Sequence, residues 1–186
     1  GLLVSEDRVQ YLETVRAWLA KHAPDYSGEA RRGLSLEQDL ELGRAWQRLK
    51  AEHGYGAITM PREYGGSGGS EIQKVIFATE ENNYDLPNDY FGVSLGMPVP
   101  MLLGYLTEEV KQTLIPPAIR GEQIWCQLFS EPAAGSDLAA LTMKATREGD
   151  GWVLEGQKLW TTWAQFSDWG VIVVRTDPSV PKHAGL

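Results

Sequence analysis

Two short segments concentrate the side chains of this sequence that could do chemistry. Residues 129–137 read Phe-Ser-Glu-Pro-Ala-Ala-Gly-Ser-Asp, with two hydroxyls, two carboxylates and a backbone kinked by Pro132 and Gly135. Residues 158–162 read Lys-Leu-Trp-Thr-Thr, an aromatic face and two hydroxyls at the end of a strand-like run. Hydroxyls and turn amides suit a polar heterocycle or a diphosphate, and an indole suits a flat ring. On an alternating strand Trp160 and Thr162 share a face and can approach one ligand together, with Thr161 turned away into packing. Each segment also has a plainer reading. The first can be a β-to-turn connection capped by Ser136 or Asp137, and the second a pair of good β-formers.

The remaining candidates carry less. Glu131 and Asp137 invite a general-base role, but carboxylates separated by a Pro and a Gly more readily orient a turn. His22, His53 and His183 are isolated and show no metal-ligand spacing. Cys126 has no His beside it and reads as a small buried apolar residue. No Ser-His-Asp or Cys-His arrangement can be argued. Met60–Gly69 is glycine-rich like a phosphate loop, yet it lacks the terminal Gly-Lys-Ser/Thr and reads as a shaped loop between helices. The chain has 7 Trp, of which Trp152, Trp160 and Trp163 fall close together. Trp fills cores as well as binding sites, and Trp160 is the one singled out for a ligand.

Composition narrows the class. The 186 residues are 42% hydrophobic and 23% charged, ordinary values for a globular protein of one large or two small domains. A net charge of −8 argues against nucleic acid, whose phosphates demand clustered Lys and Arg. No apolar run is long enough to span a bilayer, and no basic-then-apolar leader opens the chain. The single Cys126 fits a reducing compartment, and a cytoplasmic location is expected. Gly1 in place of Met points to a processed or engineered start.

The elements that must position the two segments follow from periodicity and punctuation. A first helix is predicted over 5–22, capped at Ser5, with Val9, Leu12, Val15 and Leu19 at helical spacing. A Pro/Gly-bearing loop, His22 to Gly33, follows. Ser35 caps a second helix that Gly54 stops, and Ser70 opens a third with Ile72, Val75, Ile76 and Thr79 on one face. Further helices are expected near 92–104 and 107–119, the last ended by Pro116-Pro117. Beyond Gly121 the pattern turns to strands at Ile124–Phe129, Leu141–Arg147, Trp152–Glu155, Leu159–Thr162 and Trp169–Arg175. Glu148-Gly149-Asp150-Gly151 is a hairpin signal. The fold class is therefore α+β: an all-α N-terminal helical domain over 1–120, then an antiparallel β-barrel-like domain over 121–186. So few strands make a small, open sheet, so this second domain is expected to be truncated.

The sequence resembles the acyl-CoA dehydrogenase family over nearly its whole length. The likeness runs through Met60-Pro61, Tyr64-Gly65-Gly66-Ser67-Gly68, Glu80-Glu81, Lys111 and Arg120-Gly121-Glu122. It continues through Phe129–Asp137, Gly156-Gln157-Lys158-Leu159-Trp160-Thr161-Thr162 and Val174-Arg175-Thr176-Asp177. The resemblance implies an FAD cofactor held by Gln127, Phe129, Ser130, Gly135, Ser136, Trp160, Thr161 and Thr162. Trp160 would pack on the isoalloxazine, the Thr162 hydroxyl would lie near flavin N5, and Ser136 would also touch the acyl-CoA substrate. Ser130 stands where many relatives have Thr, which keeps the hydroxyl. Gln127 stands where some relatives have an aromatic residue.

The implied reaction is α,β-dehydrogenation of an acyl-CoA thioester, with electron-transfer flavoprotein as acceptor and a homo-oligomer, tetramer or dimer, as the full-length assembly. The family's glutamate base belongs to a C-terminal domain past residue 186, so no catalytic residue is assigned within this chain, which alone is expected to be inactive. Two alternatives accompany this reading: a flavin-dependent acyl-CoA oxidase or monooxygenase of the same fold, and a non-catalytic subunit of a hetero-oligomeric dehydrogenase.

Overall fold

A computed structural model of the chain describes residues 6–186. The chain divides into two compact units, one running through Ile124 and the other spanning Trp125–Leu186.

The first unit is helical. Helix α1 spans Glu6–His22 and packs on α3, Glu71–Glu81, while α2 spans Leu36–Glu52. The expected cap at Ser5 lies outside the described residues. Ser35 and Ser70 each accept a hydrogen bond from the backbone N–H three residues on, and Gln38 and Gln73 reach back to close reciprocal capping boxes. These local hydrogen bonds fix where α2 and α3 begin. The segment between α1 and α2 folds as two 3-10 turns, Ala23–Tyr26 and Gly28–Arg31. The core gathers Val15, Leu19, Trp46, Ile58, Phe77 and Leu86, with Trp18 and Tyr55 packed against it. Tyr55 stacks on Phe77 at 4.6 Å and 14°.

Three details depart from simple periodicity. On α3 the inward residues are Phe77 and Glu81, while Ile72 and Val75 stay 42% and 55% exposed. The helical stretch near 92–104 is two helices, α4 (Asp89–Gly96) and α5 (Pro98–Tyr105), broken at Met97 with φ −144° and ψ −58°. Proline disfavours helical geometry in the residue before it, and Pro98 sets this break. Helix α6, Glu108–Ile119, runs through Pro116-Pro117 instead of ending there. Its last turn is anchored by Ile115, Ala118 and Ile119, all at most 1% exposed, which offsets the backbone bonds the prolines cannot make.

The glycine-rich loop before α3 turns its donors inward. The amides of Gly66, Gly68 and Gly69 donate to the carbonyls of Pro61, Met60 and Ile58 at 3.0, 2.9 and 2.7 Å. No nest of free N–H groups is left for a phosphate, so the loop is structural. A Cβ on Gly66 would collide with the Met60 carbonyl. Gly66→Ala should therefore cost about 1–3 kcal/mol, read as a lower urea midpoint at unchanged slope.

The second unit holds two open two-stranded sheets. Strands β2 (Lys144–Glu148) and β3 (Gly151–Glu155) form the hairpin expected at Gly149-Asp150, where Gly149 takes φ +57°. Strands β1 (Trp125–Leu128) and β4 (Trp169–Ile172) pair in parallel, with Trp125 opposite Trp169 and their rings stacked at 5.7 Å. The antiparallel expectation thus holds for β2 and β3 and is corrected for β1 and β4, and with both sheets open the barrel-like form is not confirmed. The long excursion between β1 and β4 lets the chain return in the same direction, as parallel pairing requires, and neither sheet closes on itself. No strand forms over Leu159–Thr162.

Candidate functional site

The two chemistry-bearing segments are joined by a buried ion pair. Lys158 Nζ lies 3.0 Å from Glu131 Oε1, and their side chains are 5% and 3% exposed. Lys158 also donates to the Phe129 carbonyl at 3.0 Å, and the Leu159 N–H donates to the Ser130 carbonyl at 2.9 Å. Three links in register hold the second segment beside the first.

Glu131 is fully engaged. Its Oε2 accepts from the Thr142 N–H at 2.6 Å and the Thr142 hydroxyl at 3.0 Å, and its Oε1 also accepts from the Met143 N–H at 3.0 Å. Burial alone would push this carboxyl up. The donors from Thr142, Lys158 and Met143 outweigh it and hold the pKa down to about 2. A group so committed stays charged and accepts no proton near neutrality, so Glu131 is a structural anchor and not a base. Its own backbone exchanges hydrogen bonds with Ala134, closing the turn around Pro132 and Ala133. Asp137 pairs at the surface with Lys182 at 2.8 Å, which lowers its pKa in turn.

Around this anchor the proposed contact residues take distinct positions. Gln127 is on β1, half-buried, and Phe129 and Ser130 follow it, also half-buried. Gly135 and Ser136 are exposed on the turn. Thr161 is half-buried and Thr162 exposed. Trp160 directly follows the Leu159–Ser130 bond and stands 89% exposed, with its backbone in the left-handed region at φ 57°. The shared strand face expected for Trp160 and Thr162 is thereby corrected, because no strand forms over these residues and the left-handed backbone of Trp160 itself breaks the two-residue alternation. Both side chains nevertheless reach solvent. Trp163 is also left-handed, at φ 59°, and its ring lies 6.0 Å from that of Phe166.

Lys158 as the linchpin, and Thr142 as its partner in holding Glu131, are the residues that sequence reasoning missed. Their positions in sequence carry no pairing signal. Cys126 is buried and unpaired, as its surroundings in sequence indicated. Among the described residues no group of three or more His, Cys, Asp or Glu could hold a metal ion, and no helix is long and apolar enough to cross a membrane.

Comparison with known proteins places this arrangement. Residues 5–122 match the model of the acyl-CoA dehydrogenase N-terminal domain, and residues 126–186 match that of the middle domain. Acyl-CoA dehydrogenase IpdE1 of Mycobacterium tuberculosis is 35% identical over 97% of this chain and 48% of its own. The ChsE4–ChsE5 complex of Mycobacterium tuberculosis superposes with a TM-score of 0.82 at 29% identity, over 100% of this chain and 46% of that one. A structure described as the Tcur3481–Tcur3483 steroid ACAD gives 0.77 at 32% identity, over 95% and 45%. The chain spans about half the length of the relatives it matches. With both domain models matched in order and the paired segments in place, the chain belongs to the acyl-CoA dehydrogenase family.

Proposed function

We propose that this chain supplies the N-terminal domain, 1–120, and part of the middle domain, 121–186, of an FAD-dependent enzyme that desaturates an acyl-CoA thioester at its α and β carbons. The observation that carries the reading is the stapling of residues 129–131 to residues 158–159 by Lys158, with Trp160 held out beside the junction. The residues fit the cofactor. A flavin needs a flat apolar face and hydrogen-bonding groups around its ring and diphosphate, and an exposed indole with the hydroxyls of Ser130, Ser136 and Thr162 offers both.

In this proposal Trp160 covers a face of the ring, and Thr162 donates to its reducible edge. Gln127, Phe129, Ser130, Gly135 and Thr161 frame it through backbone and side chain, and Ser136 also meets the substrate. Bound FAD supplies the hydride acceptor for the β-hydrogen. The residues of this chain bind, orient and exclude water, and the α-proton goes to a base outside them. Electron-transfer flavoprotein as acceptor and a cytoplasmic address complete the reading.

Two of the similar solved structures carry paired component names, which favours a second reading of the assembly. There the chain is one subunit of a hetero-oligomer acting on a bulky, steroid-derived acyl group, in place of a homo-oligomer.

The deciding experiment is an absorbance spectrum of the full-length protein before and after anaerobic addition of acyl-CoAs. A flavin band bleached by one of them is the expected result. Rapid re-oxidation in air with peroxide release would instead indicate an oxidase. No flavin band after incubation with FAD would leave a non-catalytic subunit.

A further inference from the structure

Arg175 belongs to neither chemistry-bearing segment, yet its side chain organises the far limb of the first. Residues 131–143 form a loop that leaves Glu131 and returns to it, since Thr142 and Met143 donate their N–H groups to the Glu131 carboxylate. Ser136 sits exposed at the outer turn of this loop. Where Glu131 takes the N–H groups of the returning limb, Arg175 takes its carbonyls. Nη2 donates to the Ala139 carbonyl at 2.7 Å and Nε to that of Leu141 at 3.3 Å. The Arg175 backbone N–H donates to the Met143 carbonyl at 2.8 Å, and its carbonyl accepts from the Ala145 N–H at 2.9 Å. One residue thus holds the carbonyls of alternate positions 139, 141 and 143.

A second route runs from Arg175 to the turn itself. Nη1 and Nη2 reach the Lys182 carbonyl at 3.4 and 3.3 Å, and the Lys182 ammonium pairs with Asp137, the neighbour of Ser136, at 2.8 Å. The circuit closes from Arg175 through Lys182 and Asp137, then along the chain through Ala139 back to Arg175. Lys182 and Asp137 have side chains 51% and 57% exposed, and such a surface pair contributes little by itself. The guanidinium supplies the rigidity. It is planar and always charged, and its fixed fork of donors spans several acceptors, which a point-like ammonium does not match. Its bonds to the carbonyls are charge-assisted.

We propose that Arg175 is a positioning residue for Ser136, holding the 136–143 limb so that the Ser136 hydroxyl is set for the acyl-CoA substrate. It acts through the backbone of that limb. The inference rests on the dehydrogenase reading, in which Ser136 meets the substrate and Arg175 has no role. Trp160 and Thr162 follow the segment that Lys158 staples, and Arg175 bonds to neither. Loss of Arg175 therefore weakens substrate binding more than the chemistry at the ring.

The test is Arg175→Met and Arg175→Lys in the full-length protein, saturated with FAD and assayed with an acyl-CoA that bleaches the unmodified flavin. Arg175→Met should raise KM at least ten-fold and keep kcat within about three-fold, the mark of lost uniform binding. A merely structural loss does the reverse, since a smaller folded fraction lowers kcat at unchanged KM. Hydrogen exchange read by mass spectrometry should be at least ten-fold faster over residues 139–143 and unchanged over 146–154 of the β2–β3 hairpin. Arg175→Lys keeps the charge without the fork, so its KM and exchange should fall between those of Arg175→Met and the unmodified protein. Unchanged KM, a lowered kcat alone, or equal acceleration in the hairpin would overturn the proposal. An Arg175→Lys protein that matches the unmodified one would do so too, even if Arg175→Met fails to fold. If no acyl-CoA bleaches the unmodified flavin, the dehydrogenase reading fails by itself and exchange alone decides the clamp: faster over 139–143 upholds it, unchanged overturns it.

Discussion

Lys158→Met lowers the stability of the protein by about 3–5 kcal/mol, the usual consequence of removing one partner from a buried ion pair. The cost arises because Glu131, with a side chain 3% exposed, keeps its charge and its hydrogen bonds from Thr142 and Met143 but loses its counter-ion. The Phe129 carbonyl loses a donor at the same time. Urea unfolding followed by Trp fluorescence measures the loss. The double variant Glu131→Gln, Lys158→Met should cost less than the two single variants summed, since the orphaned charge is gone. A single-variant loss below about 1 kcal/mol would mean that water reaches the pair and that it behaves as a surface contact.

The same carboxyl sets an acid limit. Its pKa in the folded protein is about 2, against an ordinary value of 4.5. The unfolded chain therefore takes up the proton first, and stability rises with pH across that window. The contribution is complete above pH 4.5 and is lost as pH falls through about 2. Lys158→Met removes one of the donors that depress the pKa, so its acid unfolding midpoint should move to higher pH. Because Lys158 also aligns the two segments, flavin content should fall in this variant even at neutral pH.

What could be read in the sequence was what is decided locally. The capping boxes at Ser35 and Ser70 involve residues three apart, and the Gly149-Asp150 hairpin is fixed by its own turn. Decisions taken at a distance were not legible. Whether Ile72 or Phe77 faces inward depends on where α1 lies, because periodicity marks a stripe and not its partner. Pro116-Pro117 reads as a stop, yet burial of Ile115 and Ile119 carries α6 past it. The direction of β4 against β1 is set by the intervening chain, and no residue of either strand encodes it. At the candidate site the exposed indole was legible as a type and a position. The left-handed backbone that presents it was not, because a Trp has no intrinsic preference for that region.

That backbone makes Trp160 and Trp163 a matched pair for experiment. Both sit at positive φ, 57° and 59°, where an L-residue costs about 1–2 kcal/mol. Alanine at either position keeps that strain, so the two substitutions differ only in which ring is lost. Trp160 is 89% exposed, and its removal should change stability by less than about 1 kcal/mol, as surface substitutions do. Under the flavin proposal, Trp160→Ala nonetheless weakens FAD retention at least ten-fold. Trp163 is half-buried beside Phe166, so Trp163→Ala should cost stability and leave flavin content largely intact. Equal flavin content in the two variants would remove Trp160 from the site. Trp160→Gly sharpens the reading, since glycine adopts positive φ freely and relieves the strain while deleting the ring. If that variant is no less stable than the unmodified protein yet retains little FAD, the strained conformation is held for the cofactor's sake, since a fold without a ligand gains nothing by keeping a large indole in solvent on a left-handed backbone.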